Sequence, residues 1–414
     1  MNDKLNEKMK TFLLANLFVF IILSACTTTD STPQEVIAYA SFAPGSENVG
    51  LASYRNFQLT DEGFFIGGSV ITFHDFSAGR GFVVCPQPGC AHVDGLCPAL
   101  VGPGGEYALY QDTFYAMTRQ DLGIEWLYTF KSRNQTDNLW QTHWEFTFLD
   151  DVGSNVVTRL GGGYAVILVN EFVGVEHEER TYNHIVAINL TTGTLEEIVP
   201  RREMINWESY LLSGAAEGKA VLFWTGFDKE IILHYDFLLQ AIEDGFTAEE
   251  ATDDWFSYLE EHRLNRILAI DLGTGYITEV ASSSGRNLHM PSGMDFIYRG
   301  VIYYYYYGSI MSHNLSTGVT SELLSIPNVV NIFAFDGRVF YIINVNYDAH
   351  FYYYVLETGE IHQLYNQGNR EVMVFSIHHE NSTMFKGFDE DGWGFMLKED
   401  FYAEYYYRII RIDF

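Results

Sequence analysis

A short pattern recurs four times along the chain and constrains its fold more than any other feature. Each copy is an alternating, strand-like stretch that ends in Thr-Gly and is followed by a second strand-like stretch. The copies lie at residues 188–193, 270–275, 313–318 and 354–359. Glycine suits such a turn because its backbone adopts positive φ without steric cost. The last three glycines are 43 and 41 residues apart, so we infer one strand-turn-strand unit repeated with a regular period.

A continuous apolar stretch precedes each copy, as expected of a strand that is buried on both faces. These stretches are residues 164–172, 220–227, 300–308 and 338–346. Less regular copies of the whole unit lie at 63–84, 106–131 and 383–414. A four-stranded antiparallel sheet that recurs every ~40–50 residues is typical of a β-propeller. We therefore predict an all-β fold, a β-propeller of about seven blades with six to eight possible, and the alternative is a pair of β-sandwiches.

Composition supports strands and excludes one class of partner. The chain contains 28 Tyr and 31 Phe, residues that favour β-structure. Asp and Glu number 54 against 24 Lys and Arg, which gives a net charge of −30. A surface this acidic repels phosphate backbones, so nucleic acid is excluded as a general partner.

The N-terminus has the pattern of a secretion signal. Residues 12–23 form an almost unbroken apolar run, which is shorter than the ~20 residues that a membrane-spanning helix needs. The run ends in Leu-Ser-Ala-Cys at residues 23–26, which resembles a bacterial lipobox. The resemblance implies that residues 1–25 are a signal peptide and that Cys26 is lipidated with diacylglycerol and palmitate. The protein would then be anchored at the extracytoplasmic face of the cell membrane; the alternative is an ordinary signal peptide with a chance cysteine.

One copy of the repeat also resembles a known family. Residues 269–275 fit the Ala-x-Asp-x-x-Thr-Gly repeat of quinoprotein-type propellers and of related assembly-factor lipoproteins. The tryptophan expected after Thr-Gly is missing, because Tyr276 follows, so a redox quinone is not implied. As a whole, the chain resembles a lipoprotein family of Gram-positive bacteria with TolB-like or quinoprotein-like propellers. The resemblance implies a fold and a location but no activity, with a tether at 26–47 and the propeller domain at 48–414.

The first two repeat glycines are 82 residues apart, and an insertion at residues 231–262 explains much of the excess. We expect it to form a helical hairpin, because Gly245 is placed to end one helix and Thr247 with Glu250 forms a capping box that starts the next. The second helix has one apolar stripe at helical spacing. Its members are Ala251, Trp255, Tyr258, Leu259 and His262.

The opposite side of this helix is acidic, and the hairpin is a candidate binding element. Long elements inserted in a repeat often mark its binding face. We predict that Trp255, Tyr258 and Asp254 contribute to binding a protein, peptide or glycan. The alternative is that Trp255 only packs the helices onto the nearest blade.

Three of the four cysteines lie close together with one histidine, between the first and second copies of the repeat. They form C-x4-C-x-H-x4-C with Cys85, Cys90, His92 and Cys97, in a segment that Pro and Gly allow to turn. Three thiolates and one imidazole satisfy the tetrahedral preference of zinc, so a structural zinc is one interpretation. One disulfide plus a spare thiol, or pairing with another chain, are the alternatives, and each would staple the long loop between two blades.

Motifs of catalysis are absent from the sequence. There is no Gly-x-Ser-x-Gly, no His-Glu-x-x-His and no Walker loop, so no catalytic residue is predicted. We expect a non-catalytic, membrane-anchored propeller that binds a protein, peptide or glycan. An extracytoplasmic carbohydrate-active enzyme that uses carboxylates in the propeller channel is the alternative, since propellers host such sites without linear motifs. A role in envelope assembly rests on analogy with the family alone.

Overall fold

The computed structural model describes most of the chain from Val49 onward. The described residues are 49–50, 57–59, 63–66, 70–75, 80–87, 90–92, 97–101, 106–123, 125–135, 137, 139–149, 152–175, 178–204, 208–227, 234–289, 297–345, 348–364, 384–389, 392–402 and 410–411. Cys26, the signal peptide predicted at 1–25 and the tether predicted at 26–47 lie outside them. In this part of the chain, no helix has the length and apolarity needed to cross a membrane.

The described residues form seven antiparallel sheets that follow one another along the chain, six with at least four strands and the last with three. A short strand, β1 (Val49–Gly50), pairs with the third sheet. Sheet 1 contains β2 (Phe57–Leu59), β3 (Gly63–Ile66), β4 (Thr72–Asp75) and β5 (Arg80–Val83). Sheet 2 contains β6 (Glu106–Tyr110), β7 (Thr113–Asp121), β8 (Glu125–Asn134) and β9 (Gln141–Leu149).

The next three sheets contain the longest strands. Sheet 3 contains β10 (Val152–Gly161), β11 (Tyr164–Val175), β12 (Glu178–Asn189) and β13 (Leu195–Met204). Sheet 4 contains β14 (Ser209–Ala216), β15 (Lys219–Phe227), β16 (Arg263–Asp271) and β17 (Ile277–Ser284). A 3-10 turn (Gly285–Asn287) leads to sheet 5, which contains β18 (Leu288–His289), β19 (Ile297–Tyr298), β20 (Val301–Tyr306), β21 (Ser309–Asn314) and β22 (Thr320–Ser325).

Two further sheets and three helices complete the described fold. Sheet 6 contains β23 (Val329–Phe335), β24 (Arg338–Val345), β25 (Asp348–Val355) and β26 (Ile361–Leu364). Sheet 7 contains β27 (Met384–Asp389), β28 (Gly392–Leu397) and β29 (Ile410–Arg411). Helices α1 (His234–Glu243) and α2 (Ala248–His262) lie between β15 and β16, and α3 (Lys398–Tyr402) follows β28.

Apolar side chains fill the space between each pair of consecutive sheets, from sheet 1 to sheet 6. Five separate clusters occupy these five interfaces. On β11, Ile167 and Val169 pack toward sheet 2, whereas Val166 and Leu168 pack toward sheet 4. Both faces of the strand are buried, which explains its unbroken apolar sequence.

This packing distinguishes the predicted architectures. A pair of sandwiches would bury one face of each sheet, whereas here sheets 2 to 5 each contribute to two clusters. The chain is therefore an all-β, propeller-like succession of antiparallel sheets. The early repeat copies at 63–84 and 106–131 form parts of sheets 1 and 2, and the insertion forms a helical hairpin, as predicted.

The four Thr-Gly turns share one set of backbone hydrogen bonds. In each turn the glycine N–H donates to the carbonyl oxygen four residues earlier, over 2.8 Å. The glycines, with φ between +70° and +74°, are Gly193, Gly275, Gly318 and Gly359. In three turns a side chain at that earlier position accepts further backbone N–H groups, and these side chains are Asn189, Asp271 and Asn314. The side-chain oxygen thus satisfies turn donors that face solvent.

A second hydrogen bond ties each turn to the rest of its sheet. The leucine in the turn donates its N–H to a glycine carbonyl in the hairpin between the first and second strands. The pairs are Leu190 with Gly163, Leu272 with Gly218, Leu315 with Gly300 and Leu356 with Gly337, at 2.8–2.9 Å. Leu272 and Leu315 are fully buried, so the bond also inserts an apolar side chain into the core.

Antiparallel order places alternate connections at opposite ends of each sheet. The glycine hairpins and Thr-Gly turns lie at one end, the turn end. The second-to-third connections and the links between sheets lie at the other, which we call the elaborated end. It carries helices α1 and α2, whereas the cysteine segment contacts Arg133 and Trp140 at the turn end of sheet 2 and α3 bonds to Asp336 at the turn end of sheet 6.

The turn geometry predicts different effects for two substitutions at Asp271. The Thr274 hydroxyl and the backbone N–H groups of Thr274 and Gly273 donate to Asp271 Oδ1 over 2.8–3.1 Å and hold the pKa of its carboxyl below the ordinary value. Asp271→Ala leaves these donors without the acceptor, and we expect a loss of about 1 kcal/mol in the free energy of unfolding. Urea denaturation at pH 7 measures it.

Asp271→Asn is the matched control, because Asn occupies the equivalent position in the turns at Asn189 and Asn314. A depressed folded-state pKa stabilises the fold above the unfolded-state pKa, and this contribution disappears as pH falls through the folded-state pKa. Asp271→Asn should keep most of the stability at pH 7 and lose that part of the acid dependence. Equal losses for Ala and Asn would contradict this account of the turn.

Candidate functional site

The cysteine segment starts and ends side by side at the edge of sheet 1. Val84, after β5, donates its N–H to the Ile71 carbonyl over 2.9 Å, and Ile71 donates to the Ala99 carbonyl over 3.0 Å. Cys85 follows the first of these contacts and Cys97 precedes the second. The backbone pairing therefore brings residues twelve positions apart together, and the intervening segment needs only to fold back.

All four residues predicted as metal ligands come together. Their ligand atoms lie within 4.8 Å of one another. Cys85 Sγ is 3.8 Å from Cys97 Sγ, and His92 Nδ1 is 3.3 Å from Cys97 Sγ. Tetrahedral zinc, with bonds of about 2.3 Å to sulfur and 2.0–2.1 Å to nitrogen, places two sulfurs about 3.8 Å apart and sulfur and nitrogen about 3.5 Å apart. The Cys3His set could therefore hold a metal such as zinc.

Burial shifts the pKa values of the thiols and of the imidazole in opposite directions. It raises the pKa of Cys97 to about 12 and that of Cys85 above its ordinary value, and it lowers the pKa of His92. The imidazole is thus neutral, the form that binds a metal, while the thiols release protons when a metal binds. The three cysteines are not joined by a disulfide in the structure. The 3.8 Å between Cys85 Sγ and Cys97 Sγ matches the spacing of two thiolates on one tetrahedral ion.

Sheet 2 holds both ends of the segment through side chains that sequence reasoning missed. Arg133 Nη2 donates to the Val84 carbonyl over 2.9 Å, and Trp140 Nε1 donates to the Pro98 carbonyl over 3.0 Å. Lys131 Nζ donates to the Val101 carbonyl over 3.0 Å, and burial lowers its pKa to about 8. No local pattern indicates these contacts, since they join residues 30 to 49 positions apart.

Cation–π contacts strengthen this connection. The Arg133 guanidinium lies 5.4 Å from the ring of Trp140 and 5.0 Å from that of Phe114, and Lys131 Nζ lies 4.9 Å from Trp140. Arg133 is 2% exposed, so the contacts form in a desolvated setting where such pairs are strongest. These contacts therefore hold the two ends of the cysteine segment, at Val84 and Pro98, against sheet 2.

The helical hairpin has the predicted caps at its turn. Gly245 adopts φ +96°, and the Phe246 N–H donates to the Ala241 carbonyl over 3.0 Å. Thr247 and Glu250 exchange the two bonds of a capping box, at 2.9 and 3.2 Å. Satisfied donors and acceptors at both helix ends make this turn rigid.

The three residues predicted to bind a ligand differ in how exposed their side chains are. Trp255 is only 6% exposed, and a ligand would reach its ring only if the hairpin opened, which matches the packing alternative. Tyr258 is half-buried between Phe237 and His262, whereas Asp254 is exposed. The exposed aromatic ring of α2 is Phe256, at 55%. Helical spacing gave the correct stripe, but the assignment of Trp255 to binding stays a prediction without support from its position.

A buried ionic cluster in sheet 3 was missed as well. Arg201 donates to both oxygens of Glu171 over 2.9–3.1 Å and lies 4.0 Å from the ring of Tyr182. His184 Nδ1 is 3.7 Å from Glu171, too far for a hydrogen bond. Burial lowers the pKa of His184 despite the nearby carboxylates. Three strands contribute these residues, so no linear motif marks the cluster.

Several solved structures are similar to the chain at low sequence identity. Acylaminoacyl peptidase from Pyrococcus horikoshii shares 8% identity over 86% of this chain and 54% of its own, with a TM-score of 0.42. Dipeptidyl peptidase 4 from Porphyromonas gingivalis shares 8% over 84% and 56%, with a TM-score of 0.40. Oligogalacturonate lyase from Vibrio parahaemolyticus shares 10% over 84% and 89%, with a TM-score of 0.41.

This chain spans little more than half the length of the two peptidases. No family model matches its sequence, and no curated protein matches it. The activities of the three proteins are therefore not carried over to it.

The buried imidazole of His184 generates a pH prediction. Because its folded-state pKa lies below the unfolded-state value, the unfolded chain binds the proton more readily, and stability falls as pH drops below about 6.5. His184→Gln should reduce the slope of unfolding free energy against pH between about 7 and 5. Urea denaturation at a series of pH values measures this slope.

Val319→Ser, at an exposed position without a titrating group, is the control and should leave the slope unchanged. A slope that is the same in wild type and His184→Gln would show that this imidazole is not the group that titrates on unfolding.

Proposed function

We propose that the protein is a lipid-anchored, extracytoplasmic binding protein. Residues 1–25 are removed, Cys26 carries diacylglycerol and palmitate, and residues 26–47 tether a propeller to the cell membrane. The propeller has seven blades, of which six have at least four strands and the last has three in the described part. It binds a protein, peptide or glycan without catalysis, at the extracytoplasmic location that the resemblance to Gram-positive lipoproteins implies.

The position of the helical hairpin carries this proposal. The turn end of sheets 3 to 6 has one repeated geometry, whereas the hairpin is inserted at the elaborated end. Insertions confined to one face of a repeat fold often form its binding face. The elaborated end is therefore the ligand-binding face of this protein.

The Cys3His set holds a structural zinc ion within this proposal. Sheet 1 consists of strands of only three or four residues, so few ladder hydrogen bonds join its strands. A zinc ion bound by four ligands adds folding free energy directly and leaves no open position for a reactant. The residues Cys85, Cys90, His92 and Cys97 supply the ligands, and the ion joins the two ends of the segment beside sheet 2.

Metal analysis tests the zinc assignment. The purified protein should contain about one zinc ion per chain, and Cys97→Ser should lose it. In the variant, backbone amides of β4 and β5 should exchange with solvent faster, because the segment beside them is no longer closed. Cys26→Ser, which changes a cysteine outside the set, should keep the metal. A protein without metal, in which only one of Cys85, Cys90 and Cys97 is a free thiol, would instead support the alternative of one disulfide plus a spare thiol.

The anchor and the binding face are tested together in cells that produce the full chain. Wild type should incorporate labelled palmitate and remain with the membrane, and Cys26→Ser should do neither. For the binding face, residues 228–262 are replaced by Asn-Gly, because Phe227 and Arg263 are paired neighbours that a two-residue turn can join. Partners crosslinked to the wild type should be lost from this variant.

Val319→Ser, an exposed change at the turn end, is the matched control for the deletion. It should keep all partners. Recovery of the same partners with and without the hairpin would show that the elaborated end is not the binding face, and partner loss in the control would point to the turn end instead.

A further inference from the structure

The outer surface of the helical hairpin combines uncompensated negative charge with exposed apolar side chains. Residues 234–262 include nine Asp and Glu and no Lys or Arg. The exposed apolar residues are Ile242 and Phe246, at 49% and 47%, and Phe256, at 55%. We call the surface formed by Ile242, Phe246, Glu249, Asp253 and Phe256 the hairpin outer surface.

Helical spacing brings charge and apolar groups together on α2. Glu249, Asp253 and Phe256 are separated by four and three residues and thus share one face. Asp254 likewise follows Glu250 by four residues. Like charges at this spacing destabilise a helix, although Glu249 and Glu250 also gain from the positive end of the helix dipole. Of the acidic side chains on α2 in the described structure, Glu260 has a cationic partner, Arg263, at 3.0 Å.

We propose that the hairpin outer surface docks a cationic, amphipathic segment of a polypeptide partner. Lysine or arginine side chains of the partner pair with Glu249 and Asp253, and its apolar side chains cover Phe256 and Phe246. This binding removes like-charge repulsion and exposed apolar area at once. The inference rests on the proposed function, because it assigns a partner class to the elaborated end.

Other occupants fit less well. Among the described residues, the groups able to converge on a metal ion are those of the Cys3His set, so the hairpin carboxylates do not form a cation site. A second copy of the chain, at a net charge of −30, and anionic lipid are both repelled by this surface. The capped turn fixes the two helices before binding, which lowers the ordering cost of docking a segment against them.

Binding of a synthetic peptide to the full-length protein tests the inference. The probe is a helical lysine–leucine peptide of about fourteen residues, long enough to follow the length of α2. Its affinity is measured by fluorescence anisotropy at about 20 mM and about 300 mM salt. Glu249→Gln, Asp253→Asn and Asp254→Asn combined should weaken binding about tenfold at low salt, since each exposed pair contributes modestly.

A matched triple variant separates local from overall charge. Glu145→Gln, Glu196→Gln and Glu357→Gln remove the same charge from exposed positions on three other sheets. This variant should bind the peptide within about twofold of wild type. Equal weakening in both triple variants would overturn the proposal, because the peptide would then respond only to the net charge.

The apolar part is tested with Phe256→Ser, which should weaken the peptide about fivefold at both salt concentrations. Leu139→Ser, at a position that is 78% exposed in the connection between β8 and β9, should have no effect. A lysine–serine peptide that binds as tightly as the lysine–leucine peptide would overturn the proposal. So would a neutral oligosaccharide whose binding depends on Phe256, since this would identify a glycan site.

Failure here is distinguishable from failure of the proposed function. Replacement of residues 228–262 could remove the crosslinked partners while the peptide binds all hairpin variants with wild-type affinity. This result would support the binding face and contradict the cationic partner. Thermal melts of every variant verify folding, and because the substituted side chains are exposed they should melt within a few degrees of wild type.

Discussion

Every sheet from 2 to 5 is stable only because both of its faces are covered by neighbouring sheets. A strand such as β11, with alternate side chains in two different clusters, has no face left for solvent. The hydrophobic effect therefore acts between successive units, and each unit depends on the next in the chain. The Thr-Gly turn supports this arrangement, since its leucine N–H fixes the first hairpin against the last turn within each sheet.

The two ends of the sheets therefore differ in how readily they accept substitutions and insertions. At the turn end, the same backbone hydrogen bonds recur in four sheets, so changes there disturb the sheet itself. At the elaborated end, the backbone bonds of the described residues, such as Ile326 N–H to the Gly308 carbonyl at 2.8 Å, do not recur in four sheets. Additions there cost little, because loop length affects stability only weakly. The capped helical hairpin occupies that end without interrupting the pairing of β15 with β16.

Sheet 1, at the start of the succession of sheets, is secured by contacts from its neighbour. Its strands are short, and the adjoining segment is secured by Arg133, Trp140 and Lys131 from sheet 2. The Cys3His set lies in the same segment, and a bound ion would add a constraint where the strands are short. At the other end of the described chain, Lys398 and Tyr402 of α3 bond to Asp336 of sheet 6 over 2.8 Å. Polar contacts thus secure both ends of the succession of sheets.

The repeat, the hairpin caps and the metal-ligand set were predictable from sequence because each depends on contacts between residues close in the chain. Positive φ at Gly275, the capping box at Thr247 and the spacing of Cys85 to Cys97 are local facts. Long-range contacts left no such signal: the Arg133 contacts and the Glu171–Arg201 pair join strands that only folding brings together. Likewise, helical spacing placed Trp255 in the apolar stripe of α2, but only the packing showed that its ring is 6% exposed while Phe256 is 55% exposed. Sequence determined the repeating unit and its chemistry, whereas tertiary structure decided which surfaces remain exposed, because burial depends on which sheets stack together.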